Sequence, residues 1–66
     1  MSFITDEILD RAIRSLRDEG QVYFMPSAMW TFVRRVEDRN EFDALAGYIP
    51  APLVAAIDAA LKEAGL

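Results

Sequence analysis

Sixty-six residues, carrying a formal charge of −4 from seven basic and eleven acidic side chains, set the bounds of one small domain spanning 1–66. Apolar residues make up 53% of the chain and charged residues 27%, which excludes a disordered polar tail; a chain this short nevertheless hides only about 60% of the surface its unfolded form exposes. With no Cys and no His, the sequence offers neither a disulfide staple nor the ligands of common zinc sites, and no imidazole acid–base chemistry.

The first predicted element is a helix over 6–19. Thr5 can accept hydrogen bonds from free backbone N–H groups, Asp6 and Glu7 sit at the positive end of the helix dipole, and Gly20 follows the end. Ile4 and Leu9 have the spacing of a hydrophobic staple. Between these signals Ile8, Leu9, Ala12, Ile13 and Leu16 form one apolar stripe. Glu7 with Arg11, Asp10 with Arg14 and Arg14 with Asp18 are spaced to pair along the helix.

Gln21, Val22, Tyr23, Phe24 and Met25 then read as a short extended segment, β-branched and aromatic, between Gly20 and Pro26. A lone strand leaves its backbone groups unpaired, so it calls for Tyr48 and Ile49 as a partner, or the same strand of a second subunit.

Ser27 is placed to cap a second helix over about 28–39, with Met29, Trp30, Val33 and Val36 along one face. Phe32 lies off that face, giving a wide apolar arc expected to touch two neighbours. Asn40 can stop this helix or cap a short one over 41–46, before Gly47. Pro50 and Pro52 punctuate the chain, and a last helix over about 52–64 carries Leu53, Val54, Ile57, Ala60, Leu61 and Ala64 on one face. Ala55, Ala56 and Ala59 broaden it with small side chains. The predicted fold is mainly α: three or four helices, one short β segment at about 21–25, and a core of Leu9, Ile13, Leu16, Val33, Ile57 and Leu61.

The longest apolar run, Leu53 to Ile57, is far short of the roughly 18 residues a membrane span needs. The first residues lack the basic region and apolar stretch of a secretory signal, so a cytoplasmic address is expected.

The inventory argues against catalysis. Ser2, Ser15, Ser27, Thr5 and Thr31 are the candidate hydroxyl nucleophiles, and Lys62 is the single lysine available to activate one. Ser27 and Thr5 are accounted for as caps. Asp6 with Glu7, Asp18 with Glu19 and Glu37 with Asp38 are neighbours in sequence, so on a helix they diverge by about 100° instead of converging on a metal. No cofactor is expected.

Nucleic-acid binding has two footholds, Arg11, Arg14 and Arg17 on the first helix and Arg34, Arg35 and Arg39 on the second, both diluted by acids in a chain of net charge −4. The run Ala12-Ile13-x-x-Leu16-x-x-x-Gly20-x-Val22-x-Phe24 resembles the helix-into-strand passage of winged-helix domains, and that resemblance implies a DNA-binding regulator. The turn of a helix-turn-helix has three or four residues, however, and about eight separate the first two helices here. Mimicry of nucleic acid by carboxylates would need a stripe of one sign, whereas the acids are interleaved with bases.

The apolar excess is more informative. Twenty-five residues are apolar and larger than Ala, more than so small a globule is expected to enclose. Aromatic and Arg side chains dominate interface energetics, and Tyr23, Phe24, Trp30, Arg34 and Arg35 are clustered in sequence. They are the expected partner-binding residues. The expected function is a non-catalytic protein–protein interaction module: a small cytoplasmic adaptor or stoichiometric inhibitor, of the size encoded by phages and mobile elements, anti-CRISPR proteins among them. A homodimer is expected, paired through 21–25 or the Ala-rich face of the last helix. The alternative is a homodimeric DNA-binding transcriptional regulator or antitoxin.

Overall fold

The structure, a computed structural model, describes residues 3–21 and 26–66. Among these the fold is mainly helical: α1 is Asp6–Asp18, α2 is Ser27–Arg34, α3 is Arg39–Leu45, a single 3-10 turn covers Ala46–Tyr48, and α4 is Ala51–Glu63. No strand occurs among the described residues. Of the extended segment expected over 21–25, Gln21 is not in a strand and the rest lies outside the described residues. Tyr48 closes the 3-10 turn and Ile49 after it is in extended geometry; the pairing expected of these two with 22–25 lies outside the described residues.

The signals at the ends of α1 and α4 act as the sequence predicts. Thr5 Oγ1 accepts from Ile8 N at 3.2 Å, and Ile4 and Leu9 are both buried, consistent with the staple. After α1, Gly20 takes φ +78°, which lets Gln21 N donate to Leu16 O and Gly20 N to Arg17 O, closing the helix with a Schellman pair. Gly65 at φ +81° repeats the device: Leu66 N donates to Leu61 O and Gly65 N to Lys62 O. Ile49, before Pro50, is in extended geometry, and Pro52 occupies the first turn of α4, where no intrahelical N–H is needed.

The middle of the chain departs from expectation. The helix predicted over 28–39 ends at Arg34, and the short helix offered over 41–46 is present but starts earlier, at Arg39, because Asp38 adopts extended geometry and its Oδ1 accepts from Glu41 N at 2.9 Å. Glu41 reaches back in turn, its Oε2 accepting from Glu37 N at 2.9 Å. This reciprocal cap starts α3 at Arg39, and Asn40 becomes an interior residue of the first turn instead of a stop. Ser27 is the first residue of α2 and makes no capping bond; its carbonyl accepts from Thr31 Oγ1 at 3.1 Å.

The core is built chiefly on the pairing of α1 with α4. Ile8, Leu9, Ala12 and Leu16 from α1 meet Leu53, Ile57, Ala60 and Leu61 from α4 in one apolar cluster. Ile4, Val33, Val36, Phe42 and Ile49 complete it. Phe42 anchors α3, which at seven residues would not hold as a helix alone. Burying such a ring contributes about 1.5–3 kcal/mol. Ile13, expected in the core, is only half-buried. No polar or charged residue is buried among the described residues.

Candidate interaction surface

Val33 is the one residue of α2 that is fully buried, so this helix touches the core along a narrow line and turns two flanks outward. The helical repeat sorts the predicted contact residues between those flanks. Trp30 and Arg34, one turn apart, face α1 and line a groove of about 510 Å³ with Asp6, Leu9, Asp10 and Ile13. Trp30 is half-buried there, and Arg34 Nε lies 3.6 Å from Asp6 Oδ1, with both side chains largely exposed.

Arg35 lies on the opposite flank, in a shallow depression shared with Phe32, Val36, Glu41, Ala44, Leu45 and Tyr48. Phe32 is 56% exposed and Tyr48 80% exposed, so the arc of α2 is wide as expected but Phe32 gains no second neighbour that covers it. The structure thus brings Trp30 and Arg34 together, separates Arg35 from them, and leaves Tyr23 and Phe24 outside the described residues. Tyr48 is not among the contact residues expected from the sequence; Leu45 beside it is half-buried against the core.

Charge is matched locally around most of the arginines. Arg14 pairs with Asp10 at 2.8 Å, and Arg11 stands 3.5 Å from both Glu7 and Glu63, the latter linking α1 to α4. The expected pairing of Arg14 with Asp18 is not made among the described residues; Arg14 turns to the preceding turn instead. Arg39 Nη1 donates to Asp58 Oδ1 at 2.6 Å while Lys62 Nζ sits 3.2 Å from Asp58 Oδ2. The hydrogen bond from Arg39, then that from Lys62, holds the Asp58 carboxyl below its ordinary pKa against a smaller opposing effect of desolvation. Arg39 also lies over the rings of Phe42 and Phe3, 5.5 and 5.9 Å from their centroids. Arg17 and Arg35 have no acidic partner within 4.0 Å among the described residues.

Among the described residues no group of acids is placed to hold a metal ion, and no helix is long and apolar enough to cross a membrane. The fold and surface define the class: a small, mainly helical domain in which, among the described residues, exposed Phe32 and Tyr48 lie beside an arginine with no acidic partner, Arg35. No family model, curated protein or solved structure matches the chain.

Proposed function

We propose that this chain is a non-catalytic protein–protein interaction module of the cytoplasm, a small adaptor or a stoichiometric inhibitor of the kind phages and mobile elements encode. The observation that carries the reading is the placement of Arg side chains beside aromatic ones on both flanks of α2: Arg34 with Trp30, which is half-buried against the core, on one, and Arg35 with the exposed Phe32 on the other. Aromatic rings bury large rigid area at modest entropic cost, and with Arg they recur as the anchors of protein interfaces. The absence of any buried polar or charged side chain among the described residues fits a contact surface better than a reaction site.

The competing reading is a homodimeric DNA-binding regulator or antitoxin. It would draw on Arg17 and Arg35, while Arg11, Arg14, Arg34 and Arg39 each have a carboxylate close by. Two measurements separate the readings. Affinity capture from the native host with the wild-type chain should retain a defined protein in fixed ratio, and Arg34→Ala, at an exposed position, should lose it while keeping its helical circular dichroism. Titration against a labelled duplex at two salt concentrations should give weak binding; tight binding with a steep salt dependence would replace the module with the regulator.

A further inference from the structure

We propose that the face formed by Phe32, Arg35, Leu45 and Tyr48 is a docking site for a second copy of this chain, in a two-fold pair that forms reversibly. Phe32 and Tyr48 are large rings more than half exposed, and between them Leu45 and Ala44 continue the apolar surface along α3. The face is complementary to itself. It holds one cation without an acidic partner among the described residues, Arg35, and two ring faces that can receive a guanidinium. A two-fold axis puts each group opposite its complement and uses every contact twice, so Arg35 of one protomer can lie over the Tyr48 ring of its partner.

Charge does not oppose a second copy at this face. The chain carries −4 overall, yet the residues lining this face sum to zero, Arg35 against Glu41, so two copies meet without opposing like net charges. Glu41 uses one carboxylate oxygen as the cap of α3, and its acceptor capacity is not exhausted by one N–H.

Area sets the strength. A standard interface takes about 800 Å² and 20–30 residues per partner, whereas the whole chain exposes 4522 Å² and this depression is lined by few residues. The pair is therefore a concentration-dependent one, not an obligate dimer. This differs from the routes expected from the sequence, through 21–25 or the Ala-rich face of α4.

The inference rests on the interaction-module reading only in treating exposed aromatics as contact groups, and its test needs no other protein. Sedimentation equilibrium of the purified chain, from about 10 μM to about 1 mM, should show the mean mass rise from 7.4 kDa toward twice that value. Phe32→Ser and Tyr48→Ser change exposed positions, so each should keep its helicity and melting temperature while shifting half-association to at least tenfold higher concentration. Arg35→Glu should do the same by placing like charges across the axis. A mass of 7.4 kDa at every concentration overturns the pair, and it leaves host capture to decide the module separately. A dimer unaffected by all three variants also overturns it and moves the contact to another face. Loss of the captured host protein in Phe32→Ser, in a chain that stays monomeric, gives this face to that protein instead.

Discussion

Arg39, the first residue of α3, donates to Asp58 on α4 at 2.6 Å while its guanidinium lies over Phe42 and near Phe3. One side chain thereby joins three parts of the chain, and its function divides into charge and shape. Lys keeps the charge and loses the planar fork that both pairs with the carboxylate and lies against the rings. Thermal melting should rank wild type above Arg39→Lys, and Arg39→Lys above Arg39→Ala. Equal melting temperatures for the Lys variant and wild type would reduce the role of Arg39 to its charge.

Asp58 also makes stability depend on pH in a defined direction. Its carboxyl, with an ordinary value of 3.8, is lowered in the folded state by Arg39 and then Lys62, so the folded chain gives up this proton more readily than the unfolded one. The stabilisation is fully present above the unfolded value and is lost as pH falls through the folded one. Melting temperature should therefore be level on this account above about pH 5 and fall below about pH 4. Asp58→Asn should show a shallower acid limb than wild type. Parallel curves below pH 4 would show that other carboxylates carry the effect.

The core can be tested at the pairing of α1 with α4. Leu61 is fully enclosed and Leu16 nearly so, and truncating either to Ala should cost about 2–5 kcal/mol through lost burial and the cavity left behind. In a domain of this size that is a large part of the total. Urea unfolding followed by circular dichroism measures it. Ile13→Ala, at a half-buried site on the edge of the α1 stripe, should cost clearly less than either.

The cap between α2 and α3 gives a smaller, local effect. Asp38→Ala removes the acceptor for Glu41 N and should cost about 0.5–2 kcal/mol. Amide hydrogen exchange should quicken across α3 and hardly change in the middle of α1. A uniform change through the chain would mean that α3 unfolds only with the rest.

That cap also marks where the sequence stopped being legible. The outer helices could be read because their signals agree: a polar cap or proline at the start, one apolar stripe, and a glycine that takes the left-handed conformation at the end. Between Ser27 and Leu45 the signals conflict. Val33 and Val36 keep a helical spacing past the end of α2, so apolar periodicity alone extends that helix to about 39, whereas the pair Asp38 and Glu41 already starts α3 there. Ile13 was misjudged for a related reason: five apolar residues make a stripe wider than the strip of α1 that α4 covers, and its edge opens onto the groove with Trp30. At the surface, the sequence grouped Arg34 with Arg35 because they are adjacent, although successive residues on a helix point about 100° apart.

That separation yields the sharpest functional test. Arg34 lies beside Asp6 on the groove shared with α1, and Arg35 lies in the depression shared with Tyr48. Both side chains are exposed, so Ala at either position should leave folding intact, and each variant reports on one flank. If a host protein docks on the groove, Arg34→Ala should weaken its binding by about 2 kcal/mol, near thirtyfold, while Arg35→Ala leaves that affinity within about twofold and weakens self-association instead. Isothermal titration with the captured partner and sedimentation of the free chain measure the two effects independently. If both variants instead lowered affinity for duplex DNA and each reduced its salt dependence by about one ion, the two flanks would be acting together on phosphate, and the regulator would displace the interaction module.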